Sequence, residues 1–150
     1  MSRADIDYKD KGFVTSDLFI QLALFYINEE LKNDKYTFSE KNSLLKYNEE
    51  VINGVFAGWF AFFWDSYLLN LRDEQTMIQI LENVKSAIRI KGDFISVEEL
   101  QSIPTKDGDF KLLYRRPFPT TELIRIFIAL SEMLKGTWQY ENYEMEIEYQ

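Results

Sequence analysis

The chain has 150 residues, of which 46% are hydrophobic and 16% aromatic, and a formal net charge of −8. That length fits a single globular domain over residues 1–150 and buries roughly 70% of the surface of the unfolded chain. Histidine and cysteine are both absent. Their absence excludes disulfide frameworks, thiolate chemistry, histidine-dependent nucleophilic triads, and zinc or di-iron sites that need histidine.

The acidic balance argues against nucleic acid as a direct ligand, because phosphates must be met by clustered lysine and arginine. The N-terminal MSRADIDYKDKGF lacks the apolar segment of a signal peptide, so a cytoplasmic location is expected. No cofactor, metal or membrane association is expected. Residues 1–14 are polar and mixed in charge, a segment free to be flexible, with Phe13 and Val14 as its first apolar anchors.

Thr15 or Ser16 is placed to cap a helix that runs through LFIQLALFYINEELK to about Lys32. Between Leu18 and Ile27 only Gln21 is polar, so this helix is expected to be buried on most sides. Ser39 to Tyr47 reads as a short helix leading into the most apolar stretch, with Asn48 as a cap and Glu49 and Glu50 in the next first turn.

The stretch VINGVFAGWFAFFWDSYLL, Val51 to Leu69, then reads as a buried central helix and the stability core. At helical spacing Gly54, Ala57, Gly58, Ala61 and Asp65 share a narrow small-residue stripe, opposite Phe56, Trp59, Phe60, Phe63 and Tyr67. A membrane span is the competing reading, but it needs about 20 apolar residues and Asp65 and Ser66 interrupt the run. Asp65 is either a buried carboxylate with a raised pKa, suited to general acid chemistry, or a solvated residue at a helix end.

Asp73 is expected to cap the next helix, with Met77, Ile80, Leu81, Val84 and Ile88 on one apolar stripe and Gly92 as its stop; a hairpin at 91–93 is the alternative. Ser96 and Glu99 have capping-box spacing and open a short helix that Pro104 closes. Asp107-Gly108 is a turn signal, after which Phe110, Leu112 and Tyr114 alternate as in a strand. Thr120 or Thr121 caps a last helix with Leu123, Ile126, Phe127, Leu130, Met133 and Leu134 facing the core and Gly136 at its end.

In the tail, Tyr143, Met145, Ile147 and Tyr149 alternate with Glu144, Glu146 and Glu148, the period of a half-exposed strand. Paired in parallel with 110–115, its glutamates would face Lys111 and Arg115. The expected fold is thus mainly α, a compact four- to five-helix bundle with a minor two-stranded β element near the C-terminus.

Tyr140, Glu141, Tyr143, Glu144, Glu146, Glu148 and Tyr149 form the candidate partner-binding residues. Tyrosine supplies anchoring area and carboxylates steer a basic partner, although charge on an edge strand also guards against aggregation. Lys85 with Arg89, and Lys111 with Arg115 and Arg116, are small basic spots expected to pair internally.

In composition the chain resembles small bacterial immunity proteins, which are short, acidic, cytosolic and free of catalytic motifs. That resemblance implies a non-enzymatic inhibitor of a cognate, basic protein toxin; it rests on composition and carries over no site residue. The alternatives are a structural or regulatory subunit that homodimerises through apolar helices, and a small hydrolase that works with carboxylates alone.

Overall fold

A computed structural model describes residues 3–56 and 61–140. The chain opens on a β-hairpin, β1 (Arg3–Tyr8) and β2 (Lys11–Ser16), followed by α1 (Asp17–Leu31), α2 (Lys41–Ile52), a one-turn α3 (Trp64–Tyr67) and α4 (Leu71–Ile90). After α4 come β3 (Phe94–Ile95), α5 (Val97–Ser102), α6 (Gly108–Leu113), β4 (Phe118–Pro119) and α7 (Thr120–Lys135). Among the described residues, seven helices and two two-stranded sheets make a mainly α fold with minor β at the N-terminus and near the C-terminus. No helix among them is long and apolar enough to cross a membrane.

α1 is the centre of the packing, as its nearly uninterrupted apolar sequence requires. It lies against α2, α4 and α7, and α4 packs along α7. Ser16 accepts a bond from the Leu18 amide and caps it. Its buried amide side chains donate to neighbouring elements. Gln21 donates to the Val51 carbonyl at 3.0 Å and to Asp107 at 3.1 Å, and Asn28 accepts from Asn48 at 2.9 Å while donating to the Leu45 carbonyl at 3.1 Å. These amide bonds fix α2 on α1, since a buried amide left unpaired costs about 1–3 kcal/mol.

The expected apolar stripes of α4 and α7 are buried in full. The cap of α4 lies three residues earlier than expected: Asn70 accepts from the Asp73 amide at 2.9 Å, and Asp73 accepts from the Leu69 amide at 3.0 Å. This reciprocal pair satisfies two free amides at the helix start. Ser96 caps α5 by accepting from the Glu99 amide, as its spacing implied. At α7 the N-cap position is Pro119 and its side chain makes no cap; Thr120 instead donates its hydroxyl to the Gly92 carbonyl at 2.7 Å.

Four readings are corrected. The helix expected over Val51 to Leu69 is absent: α2 ends at Ile52 and α3 spans only Trp64–Tyr67. Asn48 is a buried residue inside α2 and not a cap. Residues 110–115 are not a strand, because Asp107 accepts from the Asp109 amide and starts α6, which buries Phe110 and places the buried Tyr114 one turn on. The pairing expected between 110–115 and the tail therefore has no strand on the 110–115 side, and the expected tail strand lies outside the described residues.

The segment 1–14, read from sequence as a polar lead-in, instead supplies most of the hairpin over residues 3–16. Ala4, Ile6 and Tyr8 are buried in alternation with exposed Arg3, Asp5 and Asp7. Trp138 donates its indole N–H to the Gly12 carbonyl at 2.9 Å, and the Gly12 amide donates to the Tyr140 carbonyl at 3.0 Å, so the hairpin holds the segment after α7.

Candidate functional site

The site is built on the turn that stops α2. Asn53-Gly54 is a turn-forming pair, and Gly54 takes a φ of 79°, the left-handed region that glycine enters without penalty. The turn is held from the other side of the molecule: Thr105 donates its hydroxyl to the Ile52 carbonyl at 2.6 Å, and Asn53 accepts from the Lys106 amide at 3.0 Å. With the helix ended there, Phe56, Phe63 and Tyr67 pack back on α2.

Tyr47 on α2 gathers them. Its ring lies 5.3 Å from Phe56, 5.6 Å from Phe63 and 5.8 Å from Tyr67, all tilted, within the range in which aromatic pairs attract. Its hydroxyl donates to the Ala61 carbonyl. Phe56 and Tyr67 are half-buried and Phe63 is 41% exposed, while neighbouring Val55 is 63% exposed. The cluster is therefore a surface feature.

Carboxylates border it. Burial pushes the Tyr47 hydroxyl up to about 12, with further contributions from Tyr67 and Glu50. Burial also raises Tyr67, with Glu50 and Glu40 adding to it. Glu50 thus acts on both tyrosines, and Asp65 is exposed in the first turn of α3. Asp65 so takes the solvated alternative of its two readings.

The rest of the molecule shows what such a grouping is normally completed by. Tyr8 donates to Glu74 at 2.6 Å, Lys9 pairs with Glu74 at 3.2 Å, and the Lys9 ammonium lies 5.4 Å from the Tyr8 ring centre. Tyr26 donates to Glu99, Lys91 pairs with Glu99 at 2.9 Å, and Lys91 lies 5.5 Å from the Tyr26 ring. Tyr36 donates to Glu30, Lys35 stands 3.9 Å from Glu30, and Lys35 lies 5.1 Å from the Tyr36 ring. Each set joins a tyrosine, a glutamate and a lysine that serves both.

The Tyr47–Tyr67 group has the tyrosines and the glutamates but, among the described residues, no cation. Among the described residues no lysine or arginine pairs with Glu40 or Glu50, or stands over either ring. Residues 57–60 and 141–150 contain neither lysine nor arginine.

The buried sets also set the alkaline behaviour. Burial raises Tyr8 and Tyr26 strongly, reinforced by the bonds to Glu74 and Glu99, and raises Tyr36, where Glu30 adds and Asn83 opposes. A tyrosine raised above its unfolded value of about 10 contributes stability that is complete below that pH and is lost as pH rises through the folded value. Stability is therefore expected to fall above about pH 10, with phenolate absorbance and circular dichroism changing together. Phenolate formation at the ordinary pH by all five raised tyrosines, with the circular dichroism unchanged, would contradict these partners.

At the acid side Glu99 is lowered. Burial alone would raise it, but the bonds from Tyr26 and Lys91 and the Lys91 charge together outweigh burial.

Of the residues predicted from sequence, Tyr140 is described. It is 48% exposed, its ring packs edge-on to Trp138 at 5.2 Å, and its carbonyl is held by Gly12. Glu141, Tyr143, Glu144, Glu146, Glu148 and Tyr149 lie outside the described residues. Of the basic spots, Lys85 pairs with Glu82 at 3.0 Å, and Lys111 donates to the carbonyls of Gln101 and Ile103.

A separate cleft of about 510 Å³ between α1, the end of α2 and residues 104–106 is floored by Phe25 and Ile52 and rimmed by Glu29, Lys32, Glu49 and Lys106. Among the described residues no group of three or more acidic side chains is placed to hold a metal ion.

The Tyr47 face was missed in sequence because its residues were assigned to a helix interior. The signal that marks it is Asn53-Gly54. Compared with known protein families, curated proteins and solved structures, the chain matches none.

Proposed function

We propose that this protein is a non-catalytic binding module for a basic protein, with the Tyr47–Phe56–Phe63–Tyr67 cluster and its bordering Glu40 and Glu50 as the docking face. In the finer form of this reading it is an immunity protein that neutralises a cognate basic toxin. The observation that supports it is a contrast among the described residues: three tyrosine–glutamate sets carry their own lysine, and the set at the surface has none among them. Exposed Phe63 and Val55 supply apolar contact area next to the charges. The net charge of −8 favours fast encounter with a cationic surface, at a rate that falls as salt rises.

Affinity capture from the native host tests this with three baits: the intact chain, Glu40→Lys/Glu50→Lys, and a chain lacking residues 141–150. The intact chain and the shortened chain are expected to retain a protein of net positive charge. The charge-reversed chain is expected to melt normally and to lose that protein, with affinity down about 100-fold. Unchanged retention by the charge-reversed chain would overturn the assignment of the face, and loss confined to the shortened chain would move the contact to the acidic tail.

A further inference from the structure

We infer that the cation this face accepts is an arginine side chain of the partner, its guanidinium laid on the Tyr47–Tyr67–Phe63 rings and paired with Glu50 and Glu40. The inference rests on the docking reading above and names the chemistry of its partner. The internal sets show that this chain joins tyrosine rings, glutamates and a cation as one unit, with ammonium-to-ring distances of 5.1–5.5 Å.

Two features of the surface set differ from the internal ones and select the cation. The internal sets present one ring and one carboxylate each, which a compact ammonium serves as a point charge. The surface set presents three rings around Tyr47, at centroid spacings of 5.3–5.8 Å, and two glutamates whose charge reaches Tyr67. A planar guanidinium covers more ring surface than an ammonium, is more weakly hydrated, and carries five donors in a fork that engages more than one carboxylate oxygen. Phe63, at 41% exposure, attracts an ammonium only through its ring face but gives a weakly hydrated planar guanidinium a stacking surface as well.

The test uses the intact chain and three capped peptides of alternating charged residue and glycine, carrying arginine, lysine or citrulline. Citrulline keeps the planar shape and removes the charge. Amide chemical shifts report the position of binding, and titration reports affinity. The arginine peptide is expected to shift amides in 40–52 and 64–67 and to bind about fivefold tighter than the lysine peptide, with no shift from citrulline.

Glu50→Gln is expected to weaken the arginine peptide about fivefold or more, and Tyr67→Leu to bring arginine and lysine to equal affinity. Equal binding of lysine and arginine by the intact chain would overturn the inference, as would arginine-induced shifts confined to other parts of the chain. If no peptide shifts the face while the captured basic protein still loses its hold on Glu40→Lys/Glu50→Lys, the arginine inference fails and the docking face stands.

Discussion

Replacing Phe127 by alanine is expected to lower stability by about 3–5 kcal/mol, a large share of the roughly 5–15 kcal/mol that holds a domain of this size. Phe127 is 0% exposed on α7, the helix that packs along α4 and touches α1, so the lost ring leaves a cavity that three helices must close. Phe63→Ala, by contrast, is expected to cost no more than about 1 kcal/mol, since surface changes rarely cost more. Chemical denaturation of the two variants in parallel measures the difference directly. Equal costs would mean that the aromatic stretch is part of the core and has no face to offer.

Gly54→Ala is expected to cost about 2–3 kcal/mol despite adding a single methyl group, with contributions of about 1–2 kcal/mol from the left-handed backbone and about 1 kcal/mol from a lost helix cap. At φ 79° an alanine is strained whatever space surrounds it. Its Cβ would also stand 2.8–2.9 Å from the Oδ2, Cβ and Cγ atoms of Asp107. Asp107 cannot retreat freely, because one of its oxygens caps α6 and the other accepts from Gln21 of α1. The expected result is a lowered melting temperature with little change in helix content of the remaining native protein. A variant as stable as the parent would show that the turn after α2 is not fixed as described.

The elements that could be read from sequence are those whose caps and stripes agree. α1 follows Ser16, α5 follows Ser96, and α4 and α7 bury the residues that their helical spacing selects. The misread elements are those where one local pattern fits two structures. Phe110, Leu112 and Tyr114 alternate like a strand, yet Phe110 and Tyr114 are also four apart, and the Asp107 cap decides for the helix. Val51 to Leu69 is apolar enough for a core helix, but Asn53-Gly54 ends α2, after which Phe62 and Trp64 are buried in the core while Phe56, Phe63 and Tyr67 pack on Tyr47 at the surface.

The pairing of Tyr26 with Glu99, 73 residues apart, and of Tyr8 with Glu74, 66 apart, is set by tertiary packing and leaves no local trace. For the same reason the cation-deficient set could not be singled out before its three completed counterparts were seen. The acidic and aromatic character of the proposed docking face was legible in composition, and its position was not.

Hydrogen–deuterium exchange of this chain with and without its captured partner tests the central claim most directly. Protection on binding is expected to concentrate in residues 40–52 and 64–67, and to vanish when Glu40 and Glu50 are both lysine. Protection that leaves those segments unchanged, and appears instead along α4 and α7 or in residues 141–150, would contradict the account.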